Sequence, residues 1–183
     1  MDLCQPGRAE ILRREMLGVG FIILLGSFLH FVFDLLGRWP PAALIAAVNE
    51  SVWEHLKLAF WPAVLYALIE WPYFRGRVPH FWPAKAVGIF AMPSIIAGGF
   101  YGYTALAGRH IFLIDISLFV IAAFAGQRIS AALLLRKPPP LAVRFAAGVL
   151  LALMIAAFSL GTYFPPRVPL FRETRSGHYG IQK

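Results

Sequence analysis

Charge is scarce in this 183-residue chain. Only 14% of its residues are Asp, Glu, Lys or Arg, against about 25% in a soluble domain, and only 9 are acidic. Cysteine is nearly absent. With Cys4 alone, no disulfide can close within the chain, and thiol–disulfide chemistry lacks its second sulfur. No basic stretch interleaved with aromatics occurs, so the formal charge of +8 does not describe a nucleic-acid surface, and no nucleic-acid partner is expected. Internal repeats are also lacking, which argues against the two inverted halves of the usual transporter plan.

Apolar surface is what the chain has in excess. Hydrophobic residues make up 59% and the mean hydropathy is +0.68, so much of the surface must face something other than water. Crossing a bilayer takes roughly 20 apolar residues. Runs of about that length lie at 16–37, 52–71, 84–106, 111–135 and 143–163, followed by a polar tail at 164–183. Proline separates them at Pro40-Pro41, Pro72, Pro138-Pro139-Pro140 and Pro165-Pro166, because it removes a helical donor and clashes with the preceding turn. The stretch from Ala42 to Val48 is too short to cross and is expected to be interfacial or re-entrant. Arg13 and Arg14 precede the first run as in a signal peptide. That run is too long for a signal h-region, however, and lacks a small-x-small cleavage site, so it reads as a retained span. The expected fold is all-α: one polytopic domain of about five transmembrane helices, with the lipid bilayer as its first partner.

Bases favour cytoplasmic loops. Arg8, Arg13 and Arg14, then Arg75, Arg77 and Lys85, then Arg136, Lys137 and Arg144 fall on one side, against Arg38 and Arg109 on the other. This places the N-terminus inside and the C-terminus outside, although the tail carries Arg167, Arg172, Arg175 and Lys183. His80 reads as solvated, and Glu70 as a partner for Arg75 or Arg77.

Ionisable groups inside spans are costly and tend to mark function. On this topology His30 and Asp34, then Glu50, Glu54 and His55, then His110 and Asp115 share one depth, while the third and fifth spans add almost no interior charge. Ser27, His30 and Asp34 lie three and four residues apart, on one helix face. Imidazoles and carboxylates converging from neighbouring helices are the donor set of zinc or another divalent ion. His30, Asp34, Glu50, Glu54 and His55 are therefore the candidate metal ligands, with Ser27, Asn49 and Asp115 supporting them. A metal with an open position activates water for hydrolysis. Plainer accounts stand beside this. Ser51-x-x-Glu54 is a capping box, His30 and Asp34 fit an interhelical hydrogen-bonded pair, Asp115 suits a helix start, and His110 suits a loop. Gly98 and Gly102 form a GxxxG spacing, read as close packing within the bundle, with dimerisation as the alternative.

The run Asn49-Glu50-Ser51-Val52-Trp53-Glu54-His55-Leu56-Lys57 resembles the signature of DUF6512, a group of small bacterial membrane proteins of unknown function. His30-x-x-x-Asp34 and the tail from Tyr163-Phe164-Pro165-Pro166 to Gly177-x-Tyr179-Gly180-Ile181 resemble it too. The resemblance implies a bacterial cytoplasmic membrane and an ordered tail able to fold over the polar cluster. It implies no activity. Three functions remain: a divalent-metal site with hydrolase activity, a non-enzymatic subunit of a membrane complex, or a small proton-coupled carrier working as a homo-oligomer.

Overall fold

The computed structural model describes residues 6–174 and 176–181; Cys4, Arg175 and Lys183 lie outside the described residues. Five helices run in sequence: α1 (Arg8–Leu35), α2 (Val52–Phe74), α3 (Phe81–Ala107), α4 (Phe112–Leu134) and α5 (Leu141–Leu160). Short 3-10 turns occupy Pro40–Leu44 and Pro169–Phe171. The chain is all-helical among the described residues, apart from one isolated antiparallel bridge in the tail between Arg172 and Tyr179.

Four helices, α1, α3, α4 and α5, are long and apolar enough to cross a membrane, which makes this a membrane protein. The remaining helix, α2, is equally long: its 23 residues span about 34 Å at 1.5 Å per residue. Its composition differs because it lies between α1 and α3. Glu54, Lys57 and Glu70 of α2 are each buried and each engaged with a charge of opposite sign. A helix shielded by its neighbours can carry charges that a lipid-facing helix cannot.

Glycine sets the closest helix approaches. A Cβ on Gly26 of α1 would lie 2.3 Å from the Leu58 carbonyl oxygen of α2, and one on Gly88 of α3 would lie 2.6 Å from the Gly126 carbonyl oxygen of α4. The GxxxG pair does not take this role. Nothing lies within 4 Å of a Cβ added to Gly98 or Gly102, and only Gly99 between them meets α4, at Leu118. Gly98 and Gly102 share a face one residue out of phase with the α4 contact. Gly98→Ala and Gly102→Ala are therefore expected to hold stability constant, or to raise it by about 0.5–1 kcal/mol through helix propensity. Thermal unfolding in detergent checks this, and a clear loss at either position would mean that the face is covered.

The segment after α1 turns into the bundle. Ala43 and Ala46 are fully buried and pack with Phe33 of α1 and Ile181 of the tail. Trp53, on the first turn of α2, lies between the rings of Phe158 of α5 and Phe171 of the tail, with centroids at 4.5 and 4.3 Å. These contacts hold the tail against the end of the bundle where α2 and α4 begin. We call this the tail end.

Three expectations are corrected at the opposite end. Glu70 pairs with Lys85 rather than with Arg75 or Arg77. Lys85 is a buried residue of α3, not a loop cation, because two carboxylates receive it there. His80 is 5% exposed rather than solvated, and its Nε2 lies 3.1 Å from the Leu133 carbonyl.

Candidate functional site

His30 comes from the last two turns of α1, His55 from the first turn of α2, and Glu50 from the connection between them. The three meet at the tail end. One ligand atom from each lies within 4.8 Å of the other two. Glu50 bridges the imidazoles: its Oε2 is 3.5 Å from His55 Nε2 and its Oε1 is 3.9 Å from His30 Nε2. The two rings sit edge to face, with centroids 5.3 Å apart.

The loop carrying Glu50 is fixed from both sides. Asn49 Oδ1 accepts the Ser51 N–H at 2.9 Å, and Asn49 Nδ2 donates to the Gly180 carbonyl of the tail at 2.9 Å. Thr174 Oγ1 donates to the Glu50 carbonyl at 3.3 Å. Ser51 then caps α2 by accepting the Glu54 N–H at 3.4 Å. The same residue orients His55, whose Nδ1 lies 2.8 Å from the Ser51 carbonyl oxygen. A carbonyl only accepts, so Nδ1 carries the proton and, in the neutral ring, Nε2 keeps a lone pair on the side facing Glu50. Metal-binding imidazoles are held this way, with the second nitrogen donating to a backbone carbonyl.

Bonds of about 2.0–2.1 Å to tetrahedral zinc place ligand atoms about 3.4 Å apart. The 3.5 Å between His55 Nε2 and Glu50 Oε2 meets that spacing, and His30 Nε2 lies 3.9 Å from the other carboxylate oxygen. The His30, Glu50 and His55 side chains are 32%, 40% and 37% exposed, so the group is open on one face.

The other candidates lie elsewhere. Asp34 is exposed and pairs with Arg38 at 3.1 Å, one turn further along α1. Ser27 is exposed on α1. Asp115 accepts the Tyr103 hydroxyl and lies 3.6 Å from His110 Nδ1, so it ties α3 to the start of α4. Glu54 points to the other side of α2 from His55. It does not reach back to close a capping box, because the Ser51 N–H is already taken by Asn49.

Instead Glu54 forms a closed network with Lys57, a residue that sequence reasoning passed over. Lys57 Nζ lies 2.6 Å from Glu54 Oε2 and donates to the Ala43 carbonyl and to Thr162 Oγ1, each at 2.8 Å. Thr162 Oγ1 donates on to Glu54 Oε1 at 2.7 Å, and Glu54 Oε2 also accepts the Val48 N–H at 3.1 Å. All three ammonium protons and both carboxylate oxygens are used. This network fastens the 43–48 segment, α2 and the end of α5 together. The signal for it was the i, i+3 spacing of Glu54 and Lys57, which puts them on one helix face.

The profile of DUF6512, a family of unknown function, matches residues 9–181. No curated protein matches the chain, and no solved structure does.

Proposed function

The chain belongs to the DUF6512 family, and from the geometry of its tail-end site we propose that it is an integral membrane protein that binds a divalent metal ion at His30, Glu50 and His55. Two imidazoles and one carboxylate with a fourth position left open form the donor set of catalytic zinc. The observation that carries the reading is the Ser51 carbonyl at His55 Nδ1, which commits that ring to present Nε2 beside Glu50.

A metal held there would lower the pKa of a bound water toward neutrality and supply a nucleophile. The site lies at the end of the bundle, where a lipid headgroup or a peptide at the membrane surface has access. The reaction that fits is hydrolysis of an ester or amide bond presented at that surface. The distribution of bases supports an outward-facing site in a bacterial cytoplasmic membrane: Arg75, Arg77, Arg136, Lys137 and Arg144 lie at the opposite end, which positive-inside bias assigns to the cytoplasm.

Elemental analysis of the protein purified in mild detergent tests the metal. About one zinc per chain is expected in the wild type, lost in His30→Ala and in His55→Ala but retained in Asp34→Ala. A folded wild type that takes up no metal after zinc is added would remove the reading. If the metal is present, hydrolysis of fluorogenic ester and amide probes in vesicles tests the chemistry; a loaded protein inert toward both classes would leave metal binding without catalysis.

A further inference from the structure

Glu15 lies fifteen residues before His30 on α1, and Glu70 lies fifteen residues after His55 on α2. At 1.5 Å per residue both displacements are about 22 Å, so the two glutamates share a level in the opposite half of the bundle. Lys85 of α3 joins them. Its Nζ lies 2.7 Å from Glu15 Oε1 and contacts Glu70 Oε2 directly. Ser130 Oγ of α4 donates to Glu15 Oε1 at 3.0 Å, and Gln127 Nε2 of α4 donates to the Glu15 carbonyl at 3.3 Å. Glu15, Glu70 and Lys85 are each at most 2% exposed.

This cluster differs from the Glu54–Lys57 network in two respects. First, two carboxylates share one ammonium. The neighbouring cation, Arg14 of α1, stacks on the Tyr73 ring of α2 at 3.2 Å from its centroid. Among the described residues no ion pair joins Arg14 to either glutamate, and its charge reaches Glu70 only from beyond direct contact. Two tyrosines of α2 lie beside the cluster: Tyr66 donates its hydroxyl to the Arg14 carbonyl at 2.6 Å, and the Tyr73 hydroxyl is buried. Second, the cluster contains unused polar atoms: Glu15 Oε2 and Glu70 Oε1 are buried without a hydrogen-bond partner. A second negative charge without a direct ion-pair partner is costly at such a site, and binding one proton removes it.

We propose that Glu15, Glu70 and Lys85 form a proton-binding site within the bundle that takes up and releases one proton, shared between the two glutamates. The proton adds to a carboxylate oxygen to give a neutral carboxyl group, and the other carboxylate remains paired with the Lys85 ammonium. No other bond changes. The site does not depend on the metal at the tail end, and its test needs no metal.

Infrared difference spectroscopy of the purified protein in detergent, titrated from alkaline buffer down to about pH 6, above the usual range of solvated carboxyls, reads the carbonyl stretch of a protonated carboxyl. One such band is expected in the wild type, reversible with pH. It should disappear in Glu15→Gln and in Glu70→Gln, since either change leaves one carboxylate for one ammonium. It should double in Lys85→Met, where both glutamates must be neutral. The proposal is overturned if the folded wild type shows no protonated carboxyl across the titration, a measurement that requires no variant to fold. It is equally overturned if the band persists in both glutamine variants, because the proton then sits on another acid.

Discussion

Lys57→Met is expected to lower stability by about 3–5 kcal/mol, the usual result of removing one partner from a buried ion pair, and to leave little monodisperse protein in detergent. The side chains are similar in length, so packing is nearly conserved and the loss is electrostatic. Glu54 would be left without its counter-ion at 1% exposure, with only the Thr162 hydroxyl and the Val48 N–H beside it. The Ala43 carbonyl would lose its donor as well. Adding Glu54→Gln to Lys57→Met should recover part of the loss, since the amide carries no charge and still accepts from Val48. If the double variant is no more stable than Lys57→Met in thermal or denaturant unfolding, the electrostatic account fails and the loss belongs to packing.

The second large effect is expected at Gly26. A methyl group there would sit 2.3 Å from the Leu58 carbonyl oxygen and 2.7 Å from the Phe119 ring. The first of these is backbone and cannot rotate away. Gly26→Ala must separate α1 from α2, at about 1–3 kcal/mol or more, the range for overpacking a close contact. The separation acts on the candidate site too. His30 lies one turn beyond Gly26 on the same face of α1, and His55 lies one turn before Leu58 on α2. The variant should therefore lose zinc along with stability, whereas Gly98→Ala, which meets open space, should lose neither. Metal content measured on folded Gly26→Ala protein separates the two effects, and full occupancy there would show that the seam and the site are independent.

Helix number and order were readable because apolar runs bounded by proline admit little else in a chain this poor in charge. The convergence of His30, Glu50 and His55 was readable because short connections force adjacent spans side by side. Side-chain direction was not readable. Glu50, Glu54 and His55 look equivalent in sequence, yet α2 turns His55 toward α1 and Glu54 toward α5, and only the three-dimensional position of Thr162 shows why. Lys85 was hidden for a related reason. A lysine beside a proline-rich loop resembles a topogenic cation, and its burial depends on Glu15 and Glu70, residues far away in the chain. Removing Lys85 from the loop tally leaves Arg75 and Arg77 as that loop's bases. The glycine spacing misled because GxxxG states only that a helix has a small-residue face, not which neighbour that face meets.

Seven of the nine residues in the Asn49–Lys57 run have a defined role. Asn49 holds the tail, Glu50 and His55 face the candidate site, Ser51 caps α2 and orients His55, Trp53 stacks between α5 and the tail, and Glu54 and Lys57 close the buried network. One short segment thus serves two opposite faces of a helix.

The Thr162 bridge has a consequence for how the protein is made. Glu54 and Lys57 are made with the second helix, but the hydroxyl that completes their hydrogen bonding arrives after the fifth. Until then the ammonium lacks one acceptor and the carboxylate one donor. A truncation just before Thr162 should therefore be less stable in the cell than the full chain even though α1 to α5 are present.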